Sequence, residues 1–351
     1  MIKNLLNATK NNPCIPPFGK GRLGGIFIMK KLSIKSPLSP LCQRGVFLGH
    51  HNLPFKLRTC FAMFRYFQMK QSIAVLFFLV ILGLIVPASS FAKPIHAEIS
   101  PKKISPGDAF IIRVTGVENG RPISASFGKA GISFSKRGEG CYIAIWAVDI
   151  QTKPKAYNVN VAAGKKKIKL KLLVKKTKFP ELHLSLPDEK VFPSPDDLDR
   201  AEKENKKLKD IWQNVSERMW EGKFIAPLEN EISTVFGTKR VMNEKWTSVH
   251  RGMDIRGKEG EQVRASNSGK VVLSEELFYG GNTLVLDHGQ GIFSIYMHLS
   301  GFNVKSGDIV SKGDAIGFVG SSGRSTGPHL HFGVKVAGIN VNPVSLIKLE
   351  L

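Results

Sequence analysis

The sequence predicts a mainly β protein in two parts joined by a short helical linker. Residues 93–176 alternate apolar and polar side chains with period two, the mark of strands with one face buried and one in water. A Pro-punctuated stretch and one amphipathic helix follow. From Phe224 to the end the pattern is again strand-like, rich in glycine turns, with no helix long enough for an α/β fold. The chain has 351 residues, a length that suggests about two domains. A hydrophobic fraction of 42% with 23% charged residues fits a globular protein rather than a disordered one. Four cysteines with no CxxC pair exclude a disulfide-rich mini-domain and a Cys-type zinc finger.

The N-terminus reads as an export segment. Met69-Lys70-Gln71 precedes an apolar run from Ile73 to Val86, and small residues follow at Ala88, Ser89, Ser90 and Ala92. This is the order of a secretory signal peptide, expected over residues 69–92. The run is shorter than the roughly twenty residues of a membrane span, and an uncleaved anchor is the competing reading. Residues 1–68 carry Pro/Gly-rich pieces and no period. The hypothesis for them is a leader that is not translated, with synthesis starting at Met69; a native peptide from residues 1–60 found by mass spectrometry would refute it. The net charge is +23, yet residues 1–92 hold twelve Lys+Arg and no acid, leaving 39 Lys+Arg against 28 Asp+Glu from Lys93 onward. That remainder suits any polyanion, including a cell wall or an anionic membrane surface, and nucleic acid is not the expected partner. With residues 1–92 removed, Cys141 would be the one remaining cysteine, expected as a buried, inert thiol.

In residues 93–176, strands are expected at Ala109–Thr115, Ile123–Phe127, Gly131–Ser135, Cys141–Val148, around Tyr157–Val161 and at Ile168–Val174. Short strands at this spacing predict a β-sandwich of immunoglobulin type. Lys167, Lys169 and Lys171 form the wet face of its last strand. Residues 177–223 read as linker and helix. Ser194-Pro195-Asp196-Asp197 supplies a cap, a proline for the first turn and acids at the helix N-terminus. Leu198, Ala201, Leu208, Ile211, Trp212, Val215 and Met219 follow helical spacing. In residues 224–351, Val271–Leu273, Thr283–Leu286, Phe293–Tyr296 and Ala315–Val319 read as strands.

The chemistry concentrates in this last part, where five of the nine histidines lie. His250 and Asp254 stand four apart, and on an extended strand they would share a face. His329 and His331 stand two apart, again on one face. Two such ligands plus one from a neighbouring strand would hold a tetrahedral ion with one position left for water, as at catalytic zinc. Each piece alone is weak: an HxxxD is mostly chance, an HxH somewhat better, and His298 alone would be an ordinary histidine. Their co-occurrence is the signal. His288, in Asp287-His288-Gly289, reads as a turn residue, as do Asp308 and Asp314.

The pattern resembles the lysostaphin-like zinc metallopeptidases of family M23. The resemblance rests on Ser233-Thr234-Val235-Phe236-Gly237, Arg240, Asn243, His250-Arg251-Gly252-Met253-Asp254, Tyr279-Gly280-Gly281-Asn282 and Tyr296-Met297-His298-Leu299. It continues through Gly323-Arg324-Ser325-Thr326-Gly327-Pro328-His329-Leu330-His331-Phe332 and Asn342-Pro343. It covers about a third of the chain and implies an antiparallel β-sheet peptidase domain with an open groove over 224–351. It implies zinc held by His250, Asp254 and His331, with His298 and His329 as the catalytic pair beside it. The implied reaction is attack of zinc-activated water on a peptide bond of bacterial peptidoglycan, in the periplasm or cell envelope. The zincin motif HExxH is absent, so an imidazole would stand in as base. The resemblance also raises a latent form in which Asn243 fills the fourth zinc position, and a regulatory envelope protein as partner. Gly333 departs from the Glu that many members carry there, at a position that is not a ligand. The alternatives are a catalytically inactive peptidoglycan-binding or hydrolase-activating protein on the same fold, and, less well supported, a small β-barrel carrier, for which Lys312 is a poor acceptor.

Overall fold

The computed structural model describes residues 93–185, 188 and 192–351; the expected leader and signal segment lie outside the described residues. In chain order the first strands are β1 (His96–Ser100), β2 (Lys103–Ile104), β3 (Ala109–Thr115), β4 (Ile123–Phe127), β5 (Ala130–Ile132), β6 (Ser135–Gly138), β7 (Cys141–Ala147), β8 (Lys155–Ala163) and β9 (Lys166–Val174). They form two sheets, ordered β1-β3-β7-β6 and β2-β9-β8-β4-β5. Between the sheets lies a core that includes Phe110, Ile112, Val114, Trp146, Val159, Val161 and Leu172. The expected single strand Gly131–Ser135 is split between β5 and β6, because the chain there crosses from one sheet to the other. Lys167, Lys169 and Lys171 face water as expected. Cys141 is buried but disulfide-bonded, which corrects the reading of an inert thiol.

Strands β3 and β7 are buried on both faces. Phe110, Ile112, Ala144 and Trp146 enter the sandwich core, while Ile111, Ile143, Ile145 and Ala147 enter the core of the C-terminal part beside Trp220 and Phe224. Double burial explains why these two strands read as nearly continuous apolar runs. Polar ties reinforce the junction. Asn342 donates its backbone N–H to Gly107 O at 2.7 Å and its Nδ2 to Asp108 Oδ1 at 2.9 Å, and Ala109 N donates to Ser345 Oγ at 2.8 Å.

The segment after β9, expected as linker, contains strand β10 (Glu181–Leu184). Helix α1 (Pro195–Trp212) follows as the sequence predicts: Ser194 Oγ accepts from Asp197 N, Pro195 sits in the first turn, and Asp196 and Asp197 meet the positive end of the dipole. The helix stops at Trp212, short of Val215 and Met219. Met219 N instead donates to His288 O at 2.8 Å, and Val215 is exposed. Leu208, Ile211 and Trp212 pack on Leu273, Leu277 and Phe293.

The remaining elements are β11 (Ile232–Thr234), β12 (Lys239–Met242), β13 (Trp246–Val249), β14 (Gly252–Arg256), β15 (Gln262–Arg264), β16 (Gly269–Leu277), β17 (Gly281–Gly289), β18 (Ile292–Phe302), β19 (Ile309–Val310), β20 (Ala315–Val319), β21 (His329–Val336), β22 (Ile339–Val341) and the short helix α2 (Pro343–Ile347). The large sheet runs β11-β14-β21-β18-β17-β16-β19, with β22 on β21 and β20 joining β15 to β18; its pairings are antiparallel. A separate small sheet has the order β10-β12-β13, and in it β10 runs parallel to β12. Among the described residues no helix is long and apolar enough to cross a membrane.

His288 corrects the turn reading. It lies in β17, 0% exposed, with Nδ1 donating to Ser268 O at 2.8 Å and Nε2 2.7 Å from Ser294 Oγ. Ser294 Oγ lies 3.0 Å from Tyr296 Oη, which accepts from Ser266 N at 2.9 Å. Burial pushes the His288 imidazole down to about 4, because its charged form has lost water. The unfolded chain therefore takes up a proton below its ordinary value of about 6.5 while the folded chain does not until about 4. Stability from this group is complete above pH ~6.5 and is lost as pH falls toward 4, a total of about 3 kcal/mol. Urea unfolding at pH 7 and pH 5 should show wild type losing more stability than His288→Gln; equal losses would assign the acid sensitivity elsewhere.

Candidate metal centre and cleft

The centre is built by register. In the β14–β21 pair Asp254 stands directly opposite His331, and Arg256 opposite His329. On the other side of β21, Met297 of β18 stands opposite His331, which brings the next residue, His298, to the same place. His329 and His331 share a face of β21, as their spacing predicts.

His250 arrives differently from the sequence expectation. It does not lie on one strand with Asp254: β13 ends at Val249 and β14 begins at Gly252. Four residues of extended strand would span about 13 Å, whereas His250 Nε2 is 3.0 Å from Asp254 Oδ1. The chain bends at residues 250–251, and backbone bonds to the preceding motif fix the bend. His250 N donates to Thr238 O and Gly237 N to His250 O, each at 2.9 Å. The His250 ring is set by Nδ1 donating to Val235 O at 3.1 Å.

Three ligand-type atoms meet here. His250 Nε2 and His331 Nδ1 are 2.9 Å apart, and Asp254 Oδ1 is 2.8 Å from His331 Nδ1. A carbonyl can only accept, so in the neutral ring the His250 proton is at Nδ1 and Nε2 presents its lone pair. Asp254 is acceptor-only. His331 can bring one proton to the triangle, which leaves lone pairs facing one another. The bent geometry suits a cation: two imidazole nitrogens and one carboxylate oxygen are a donor set for zinc. Burial alone would raise the Asp254 carboxyl, but hydrogen bonds and charge from His250 and His331 outweigh it and hold it below the usual carboxylate range. Its second oxygen, Oδ2, accepts from Arg240 Nη2.

His298 and His329 lie beside the triangle. Their ring centroids are 4.9 Å apart, and His329 Nε2 is 3.9 Å from Asp254 Oδ1. His298 Nδ1 donates to Ser322 O at 2.9 Å and His329 Nδ1 to Gly327 O at 2.8 Å. Both rings therefore keep Nε2 as the free lone-pair nitrogen. His298 sits at φ +64, a left-handed conformation uncommon for a residue with a Cβ, which its backbone bond to Gly280 O at 2.8 Å holds. Burial, with His331 and His329 close by, pushes the His298 imidazole down to about 3, so it is neutral at neutral pH.

The five histidine and aspartate residues singled out in the sequence are thus brought together. Asn243 is not among them: it turns at φ +49 between β12 and β13, and its Nδ2 donates to Asp188 Oδ1 at 2.8 Å. Sequence reasoning missed the walls. On one side Leu182 and Leu184 of β10 face Ser325–His329 across a cavity of about 340 Å³ that includes Asp254 and His298. On the other side Ala201 and Leu208 of α1 line a space with His250, His331 and Tyr279. Arg240, His298 and Arg324 border both.

Residues 248–343 match the model for peptidase family M23. The chain is 40% identical to the DD-carboxypeptidase/endopeptidase Mpg of Neisseria meningitidis over 35% of its length and 28% of that protein. It is likewise 40% identical to the peptidoglycan DD-endopeptidase ShyA of Vibrio cholerae over 32% of its length and 26% of that protein. The matched stretch therefore spans about a quarter of these curated relatives. A crystal structure of an M23 peptidase from Pseudomonas aeruginosa superposes with a TM-score of 0.53 at 26% identity, covering 69% of this chain and 94% of that one. The likeness in fold thus reaches beyond the C-terminal part into the preceding strands. By its matched segment and by its fold, the chain carries a peptidase family M23 domain.

Proposed function

We propose that the chain is an exported zinc-dependent endopeptidase that hydrolyses peptide bonds of bacterial peptidoglycan. The observation that carries this is the triangle of His250 Nε2, Asp254 Oδ1 and His331 Nδ1, each pair within 3.0 Å, at the floor of an open cleft with two further imidazoles beside it. The substrate class rests on the named relatives, among them a peptidoglycan DD-endopeptidase. Export rests on the sequence of residues 69–92 and on the wall as substrate. The two-sheet part is read as immunoglobulin-type on its strand orders β1-β3-β7-β6 and β2-β9-β8-β4-β5.

His250, Asp254 and His331 would hold the zinc. Bound there, the ion would supply Lewis-acid polarisation of the peptide carbonyl and acidify a water. The protein's own groups do the rest. Val235 O fixes the His250 tautomer and Arg240 fixes the free oxygen of Asp254, so the donor atoms need not reorganise. His298 and His329 have each committed Nδ1–H to a backbone carbonyl, so Nε2 of either can accept the proton that the attacking water loses. As the C–O bond forms and the C–N bond breaks, that proton passes from Nε2 to the leaving amine. Leu182 and Leu184 on one side and Ala201 and Leu208 on the other offer apolar walls along which an extended peptide would lie.

Gly252 belongs to this machinery. A Cβ there would fall 2.7 Å from His331 Nε2 and 2.5 Å from Phe332 O, so only glycine lets the His331 ring lie across the neighbouring strand. Gly252→Ala should therefore cost bound metal about as severely as His331→Ala, although residue 252 offers no ligand. His298→Ala should keep the metal and lose at least about 100-fold in turnover, the usual range for a proton-transfer group. Metal analysis of the purified variants checks all three; full metal content in Gly252→Ala, or metal loss in His298→Ala, would contradict the assignment. Product analysis of digested sacculi with and without a chelator tests the function itself. New free amino groups that vanish with chelator are expected; a metal-free chain that cuts nothing yet stimulates another hydrolase would replace the enzyme by an activator.

A further inference from the structure

Arg324 is a cation in the cleft for which the described residues provide no counter-charge. Its half-buried guanidinium lies over the Tyr279 ring, Cζ 4.4 Å from the centroid, and Tyr279 is braced by the edge of Phe278 at 4.8 Å. Among the described residues no carboxylate pairs with it. Arg240, which also borders the cleft, differs: it is neutralised by Asp254. Enclosure first, and then the nearby Arg240, push the Arg324 guanidinium below its ordinary range. Stacking on an aromatic face leaves the in-plane N–H groups unspent, and a planar fork of N–H donors matches a carboxylate.

Its position is tied to the reaction site. His298 N bonds Gly280 O, His298 Nδ1 bonds Ser322 O, and Arg324 N bonds Tyr279 O at 3.0 Å. The same two backbone segments, 279–281 and 322–324, thus carry both the imidazole and the guanidinium. They are locked by glycines: a Cβ on Gly281 would fall 2.5 Å from Gly323 N, and one on Gly323 2.2 Å from Gly281 N. An anionic group bound by Arg324 is therefore held at a fixed offset from the proton-transfer nitrogen. In a peptide, the α-carboxyl of the acyl-side residue is the scissile carbonyl itself. Across an α-linked bond, a free α-carboxylate next to the scissile carbonyl can therefore come only from the residue that supplies the leaving amine.

We propose that Arg324, stacked on Tyr279, is a specificity-determining residue that binds this free α-carboxylate, so that the cleft selects bonds whose amine-side residue is anionic. This rests on the peptidase reading above and narrows its substrate class to bonds whose amine-side residue either ends a chain or is joined through a side-chain amine, as at a cross-link. The role is recognition, beside the ion and the two histidines and independent of proton transfer.

The test uses the full zinc-loaded chain and a pair of N-acetylated peptides ending in D-Ala-D-Ala, one as free acid and one as C-terminal amide. Wild type should cleave the acid with kcat/KM about 10- to 100-fold above the amide, as expected of a charge-assisted hydrogen bond. Arg324→Gln should bring the ratio near one, Arg324→Lys should restore part of it, and Tyr279→Leu should lower it while Arg324 remains. The same pair with the scissile amide replaced by CH2–NH cannot be hydrolysed and reports binding by calorimetry. Acid bound tighter than amide, with the difference lost in Arg324→Gln, supports the carboxylate site even if neither natural peptide is cut, an outcome that would sink the peptidase reading alone. Equal cleavage of acid and amide by wild type, or an acid preference unchanged in Arg324→Gln, overturns the role of Arg324 and leaves the peptidase reading standing.

Discussion

The antiparallel register of β14 against β21 is the constraint on which the site depends. It sets Asp254 opposite His331 and, through the next pair, His331 opposite Met297. A slip of one residue would turn His329 and His331 to the opposite face and separate them from Asp254. The register is held by what lies under it: Leu330, Phe332, Met253 and Ile255 are all buried in the main core. Alternation does the sorting, sending apolar residues down and the metal-type residues up into the cleft. Three ligand-type atoms with at most one proton among them are unfavourable together without a cation, and the fold imposes them through hydrogen bonds from outside the triangle, at Val235 O and Arg240.

The cleft combines the family segment with walls that the segment does not contain. One wall is β10, which precedes the matched residues and runs parallel to β12, and the other is α1. Both are anchored at a distance from the centre: α1 by Trp212 edge-on to Phe293 at 5.2 Å, and β10 by its pairing with β12. The catalytic-type residues thus sit on a rigid sheet, while the shape of the groove is supplied by the segment joining that sheet to the sandwich. Changes in the joining segment can alter the shape of the groove without touching the donor atoms.

Much of this was legible in the sequence, in places where the signal is local. The helix start at Ser194 is read from four consecutive residues, and the shared face of His329 and His331 from the two-residue repeat of a strand. What failed was non-local. His250 and Asp254 were placed on one strand, yet they meet because the chain bends, a bend set by pairing to Gly237 and Thr238. Strand β10 was hidden because it is four residues among prolines and its partner β12 follows more than fifty residues later. His288 sits in a polar tripeptide that resembles a turn, and its burial depends on Ser268 and Ser294 arriving from neighbouring strands. Arg324 was read as part of a motif with no role, since the lack of a counter-charge is a property of three-dimensional surroundings.

Charge also acts by placement rather than by sum. The chain carries +23, but much of that excess is in the first 92 residues or on open faces such as the lysines of β9. An exposed cation is screened within about 8 to 10 Å at ordinary salt, so the lysines can hold a polyanion loosely without choosing among its bonds. Arg324 is partly withdrawn from water and fixed by its stack on Tyr279. An interaction there is stronger per charge and directional. The balance of the cleft points the same way: Asp254 serves the triangle and Arg240 together, so a divalent ion adds positive charge that the described residues around it do not cancel. A substrate that brings its own carboxylate offsets that excess, whereas a neutral peptide leaves it standing. The enclosure that gathers two imidazoles and a carboxylate into one donor set would thus also favour an anionic partner in the groove.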